Sequence, residues 1–179
     1  MNSMPARRGG ILARTVLAMA ILVSIDVTTA AASSPVTTDQ GPSWTTATRK
    51  DFYSRDQGSK IIPVRWIGAL KQSNGEPFMV DSLGRYGYLP NEWSDPPGLP
   101  VGFTVASGSD GGTLGMTCAA CHTRQIEVAG TSYRIDGGPA IVAFQTFLTD
   151  LDAAVTTVLT KPKAFADFAQ VVLGPSPSP

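Results

Sequence analysis

The chain has 179 residues but only two cysteines and one histidine. Cys118, Cys121 and His122 are therefore its complete set of thiol and imidazole groups, too few for the usual four-ligand structural zinc site. A Ser-His-Asp arrangement would have to use His122 as well. Charge of one sign is also missing: 14 basic residues balance 14 acidic ones, so no basic excess points to nucleic acid. No apolar run reaches the roughly 20 residues that a membrane-spanning helix needs. The Gly- and Ser-rich stretch 107–115 lacks the lysine and the spacing of a phosphate-binding loop. Asp150 and Asp152 stand two apart, so on a helix they point in different directions and do not form an acid/base pair.

What the chain does have is concentrated in five consecutive residues, Cys118-Ala119-Ala120-Cys121-His122. Two thiols flanking two small residues, followed at once by an imidazole, is the c-type haem attachment pattern. Each thiol adds across one haem vinyl group, and the histidine reaches the iron as proximal ligand. A disulfide or a thioredoxin-like couple is the other reading of C-x-x-C. That reading gives the adjacent histidine no role, and no βαβ pattern surrounds the motif. The expected cofactor is one covalently attached haem c, on Cys118 and Cys121 with His122 at the iron.

Residues 1–32 read as a secretory signal peptide. Arg7, Arg8 and Arg14 make its positive start, residues 15–25 its apolar centre, and Ala30, Ala31 and Ala32 its cleavage site. Removing it takes away three arginines and Asp26, which shifts the net charge from 0 to −2. The leader and the motif agree, because bacterial haem ligation takes place outside the cytoplasm. A periplasmic or secreted location is expected, with no stable membrane insertion after cleavage.

Residues 33–48, rich in Ser, Thr, Pro and Gly, read as a flexible tether. Pro63 fits the first position of a helix over 64–72, with Trp66, Ile67 and Leu70 on one face and Asn74-Gly75 at its end. Trp66 reads as core, with a place in a haem wall as the other use. Residues 101–105 suggest a short strand, 107–115 a flexible connector, and 126–135 a hairpin about Gly130. From 140 to 160, Ile141, Phe144, Phe147, Leu148, Leu151, Val155, Val158 and Leu159 recur at helical spacing, and Pro162 follows. A second helix is expected over 163–173, then a disordered tail over 174–179.

The iron's sixth position decides which chemistry follows. No methionine or histidine comes after His122, which argues against the ordinary His/Met electron carrier. Met116 is too close to Cys118 to reach the opposite haem face. Met79 is the candidate distal ligand, with filling a core gap as its other reading. Arg85 and Arg134 are candidate partners for the haem propionates, since guanidinium groups bind carboxylates in a fork; a surface ion pair is the alternative for each.

Three segments carry a family resemblance: Gly-Met-Thr-Cys-Ala-Ala-Cys-His-Thr (115–123), Arg-Ile-Asp-Gly-Gly-Pro-Ala (134–140) and Arg-Tyr-Gly-Tyr-Leu-Pro (85–90). With Leu-Pro-Val-Gly-Phe-Thr (99–104), they resemble the dihaem cytochrome c peroxidase-like family that includes bacterial rubber oxygenases. The likeness runs from about Phe52 to Leu173. Those proteins are longer and hold two haem motifs, so this chain resembles their N-terminal haem region. The resemblance implies an exported haem protein, peroxide or dioxygen chemistry, and an N-terminal haem whose distal face carries no protein His or Met. The expected fold is mainly α, a cytochrome c-like haem domain over 49–173 with long loops and a small β-hairpin. The expected function is electron transfer or redox chemistry with a partner protein or a small-molecule oxidant. The alternatives are an oxygenase- or peroxidase-type enzyme with an open iron site, and a small-ligand haem sensor.

Overall fold

The computed structural model describes residues 34–38, 40–108 and 111–174. The leader read over 1–32 and the tail from 175 onward lie outside these residues.

The mainly α, cytochrome c-like expectation is overturned. Two three-stranded sheets stand beside the helices, making a mixed α/β fold. The first sheet has the order β1-β6-β5. Here β1 (Val36–Thr37) runs parallel to β6 (Thr131–Asp136), and β6 is antiparallel to β5 (Thr123–Val128). The expected hairpin is the β5–β6 pair. Its two-residue connection, Ala129-Gly130, has φ of 49° and 77°, the positive values that a type I′ turn requires. The second sheet has the order β2-β4-β3, from β2 (Ile62–Pro63), β4 (Thr113–Met116) and β3 (Phe103–Ala106), all antiparallel.

The central strand of that second sheet lies partly in the stretch read as a flexible connector. Its glycines serve close packing rather than mobility. A Cβ on Gly115 would collide with the Ser59 carbonyl, and one on Gly112 would meet Val105 and Ala106. Glycine content alone does not distinguish a loose linker from a strand against which other backbone packs, and this ambiguity hid the sheet.

The helices are α1 (Thr46–Ser54), α2 (Val64–Ala69), the single turn α3 (Cys118–Cys121), α4 (Phe144–Thr160) and α5 (Pro162–Leu173). Helix α2 is shorter than its pattern suggests: it stops at Leu70, where the chain turns extended and pairs Lys71 with Pro77. Pro63 ends β2 and caps α2 from outside. Trp66 is 48% exposed, resting edge-on against Phe168 rather than in the core. Helix α4 buries a narrower stripe than its apolar sequence offers. Phe147, Leu151 and Ala154 face inward, whereas Phe144, Leu148 and Leu159 are exposed.

Phe147 is the centre of the main core. Its ring lies 5.6 Å from Tyr86, 6.0 Å from both Tyr88 and Phe103, and 6.2 Å from Phe78. These tilted and edge-on contacts stabilise beyond area burial alone. Replacing Phe147 by Leu keeps the site apolar but removes the ring on which the others lean. It should cost about 1–2 kcal/mol, read as a lower denaturant midpoint at unchanged slope.

Between α2 and β3, residues 80–86 form tight 3-10 turns interrupted by Asp81, Ser82 and Leu83, with φ of 58°, 50° and 60°. Three consecutive left-handed non-glycine residues are unfavourable for L-amino acids. Leu83 is fully buried, and the Asp81 carboxylate accepts from the Arg85 amide at 2.9 Å and pairs with its guanidinium. Those contacts hold the turn.

Candidate functional site

The Cys118–His122 motif joins the two sheets, since α3 lies directly between β4 and β5. Thr117 starts the turn: its side-chain oxygen accepts from the Ala119 amide at 3.2 Å, as helix-capping threonines do. One turn of helix places residues three apart on the same side. Ala119 and Ala120 accordingly face inward and are buried, while Cys118, Cys121 and His122 are exposed.

The two alanines enter different cores. Ala120 packs in the main cluster with Phe103 and Phe147, and Ala119 in a second cluster with Tyr53 and Val101. Small residues are needed inside the motif because backbone passes close beneath it. Gly102 has φ of +78°, and a Cβ there would run into the Ala120 backbone nitrogen. Gly102 also accepts from the Thr117 amide at 2.8 Å and donates to the Tyr53 carbonyl at 3.1 Å. On the far side, the Gly137 amide donates to the His122 carbonyl at 2.7 Å and the Ala140 amide to the Cys121 carbonyl at 2.9 Å. The motif backbone is thus held on both sides, and its three reactive side chains face outward.

Asp136 anchors that support. Its fully buried carboxylate accepts from the Tyr53 hydroxyl at 2.6 Å, Arg49 Nε at 2.8 Å and Trp44 Nε1 at 2.9 Å. Burial, then the hydrogen bond to Asp136 and its negative charge, push the Tyr53 phenol far above its ordinary range. Asp136 lies opposite Thr123 in the β5–β6 ladder and directly precedes Gly137. The same carboxylate therefore ties α1 and the segment before it to the turn that supports His122. In the sequence, Asp136-Gly137-Gly138-Pro139 reads as a turn feeding a helix and as part of the family resemblance, not as an anchor. The available signal was a single acid at the end of a β-prone run, next to two glycines.

The chain's own groups engage both arginines singled out in the sequence. Arg85 donates to the Phe78 carbonyl at 2.6 Å and to Asp81, and its guanidinium stacks 4.3 Å from the Tyr86 ring centre. Arg134 donates to the Pro90 carbonyl at 3.1 Å and to Gln125 at 3.0 Å. Met79 and Met116 are both partly buried and pack against the main core. The structure brings together Cys118, Cys121 and His122; Arg85 and Arg134 lie on separate elements, the turns before β3 and strand β6. A cleft of about 510 Å³ lies between α4, α5 and the 69–78 segment and includes none of the motif residues.

Two exposed thiols and one exposed imidazole on a single turn are the donor types that c-type haem attachment uses. Among the described residues no group of three His, Cys, Asp or Glu side chains converges as a metal cluster would. A c-type haem does not require such convergence: the thiols bond to the porphyrin edge, and only the imidazole meets the iron. Both thiols are free and exposed, and Cys118 Sγ donates to Gln57 Oε1 at 3.1 Å.

No protein-family model matches the chain, and no solved structure matches it. The chain is similar to a protein of Sinorhizobium fredii (strain NBRC 101917 / NGR234) carrying the name uncharacterized protein y4iJ, with 33% identity over 156 residues. That likeness covers 74% of this chain and 26% of the relative, so the chain spans about a quarter of the length of the protein it matches.

Proposed function

We propose that this chain is an exported c-type haem protein that carries one covalent haem and acts in redox chemistry outside the cytoplasm. One observation carries the reading: a single helical turn buries both inner alanines and presents Cys118, Cys121 and His122 together to solvent. A haem bound there supplies one-electron and oxygen chemistry at its iron. The chain's residues do the rest. Cys118 and Cys121 would hold the group, His122 would supply its iron donor, and the Gly102, Gly137 and Ala140 contacts keep the turn in place.

The leader read over residues 1–32 supports a periplasmic or secreted location. Among the described residues no helix is long and apolar enough to cross a membrane. Balanced charge gives nucleic acid no purchase, so the partner is a redox protein or a small-molecule oxidant. The packing of Met79 and Met116 into the core favours a second reading, in which the distal iron face takes a small ligand. The resemblance to the N-terminal haem region of the peroxidase-like family supports this as well.

The test is maturation of the full chain in a bacterium that ligates haem in its periplasm. The protein should keep haem absorbance through denaturing electrophoresis, and the Cys118→Ala, Cys121→Ala double variant should lose it to background. A wild-type chain without covalent haem under these conditions overturns the reading. Carbon monoxide then separates the two chemistries. A reduced spectrum unmoved by the gas supports electron transfer, and one that shifts supports an open iron.

A further inference from the structure

A pocket of about 210 Å³ opens where three parts of the chain meet: the β1–β6 edge, helix α1 and the loop around residues 90–93. Arg49 and Tyr53 stand four apart on α1 and so share one of its faces. The parallel pairing sets Thr37 of β1 opposite Arg134 of β6. Arg134 donates to the Pro90 carbonyl at 3.1 Å, which fastens the loop to the sheet. Trp93 of that loop stacks on Tyr53, with ring centres 5.9 Å apart.

The charges around this pocket do not cancel. Arg134 has only neutral partners, the Pro90 carbonyl and the Gln125 side chain, and no carboxylate among the described residues forms a salt bridge with it. Arg49 gives its Nε to Asp136, and its two terminal nitrogens have no hydrogen-bond partner among the described residues. Lys50 Nζ lies 5.1 Å from the centre of the Trp93 ring. Against these three cations stand Asp136, which already holds three donors, and Glu92, which lines the pocket, is exposed and pairs with neither arginine. Guanidinium groups with unused N–H donors are strong sites for an oxyanion. The remaining walls favour an organic one, because Pro35, Pro90 and Trp93 offer it apolar surface. A water needs roughly 10–15 Å³ of such space, so there is room for more than a lone ion.

We propose that this pocket binds a small organic carboxylate, its oxygens between Arg49 and Arg134 and its apolar body against Trp93 and Pro90. The inference does not rest on the haem reading. Arg49 also holds Asp136, so an occupant adds to the network that supports the His122 turn, and binding to the folded chain alone raises its stability.

The test is thermal unfolding of the full chain with three probes: benzoate, its neutral counterpart benzamide, and inorganic phosphate. Benzoate should raise the melting temperature by a few degrees and level off with concentration, while the other two should leave it nearly unmoved. Arg134→Gln should weaken the apparent benzoate affinity by about tenfold or more, and Trp93→Leu should weaken it without changing any charge. Arg65→Gln, on the exposed side of α2, should bind benzoate as the parent does. No shift with benzoate, or an equal shift with benzamide or with phosphate, overturns the proposal. So does an affinity unchanged in Arg134→Gln, or, where that variant does not fold, one unchanged in Trp93→Leu. Where the parent takes up haem, the haem-loaded chain and the Cys118→Ala, Cys121→Ala chain are both titrated. A shift confined to the haem-free form also overturns the proposal, because the pocket would then hold a carboxylate of the haem itself.

Discussion

Replacing Asp136 by Ala should destabilise the chain by about 3–5 kcal/mol, the range for removing one partner of a buried charge pair. The carboxylate is fully buried and Arg49 nearly so. Without it, Arg49 keeps a charge with no counterion, and the Tyr53 hydroxyl and Trp44 indole lose their acceptor. Whole domains have roughly 5–15 kcal/mol of stability, so much of the total depends on this side chain. Urea unfolding should show a large fall in midpoint. Asp136→Asn separates charge from shape: the amide oxygen still accepts from Tyr53 or Trp44, but the ion pair with Arg49 is gone. Its midpoint should fall between parent and Ala variant. An Asn midpoint equal to that of Ala would assign the whole effect to charge, and a midpoint equal to the parent's would show that the pair contributes nothing.

Gly102→Ala should be nearly as damaging, for a different reason. Its φ of +78° disfavours any side chain, and the new methyl would enter the Ala120 backbone nitrogen. The left-handed backbone costs about 1–2 kcal/mol and overpacking about 1–3. Backbone cannot yield as a flexible side chain does, so α3 has to move. If the proposed haem attachment holds, covalent haem yield should fall together with stability. Gly130→Ala is the control, because its φ of +77° is the same but nothing lies within 4 Å of the added carbon. It should show only the backbone penalty and keep full haem yield. Equal losses in both variants would mean that the contact with Ala120 does not matter.

The contrast between these glycines shows how far residue patterns reach. The β5–β6 hairpin was legible because its alternation and turn lie within 14 residues of sequence. Helix α4 was legible from its repeat and from Pro162, although exposure of Phe144 and Leu148 shows that the repeat overstates the buried face. The parallel pairing of β1 with β6 could not be read, since two residues of strand leave no periodicity and their partner is nearly a hundred positions away. Strand β4 was hidden because glycine reads alike in a linker and under crossing backbone. At the site, the cysteines and histidine announce themselves by spacing. Asp136 and Gly102 do not, because their importance comes from what the fold brings to them: three donors to one carboxylate and a helical turn above one glycine.

The Asp136 network also sets an order of events. Its partners Trp44, Arg49 and Tyr53 precede it by 92, 87 and 83 residues. In a chain made or exported from its N-terminus, the sheet β2-β4-β3 can close once residue 116 has emerged. Helix α1 can meet Gly102 and Ala119 through Tyr53 soon after, but its side-chain bonds, the Trp44 indole's and the pairing of β1 with β6 must wait for the last residues of β6. Strand β1, the first element of the described chain, is thus tied down only after the motif has formed, and the motif acquires its second flank, from Gly137 and Ala140, just after that.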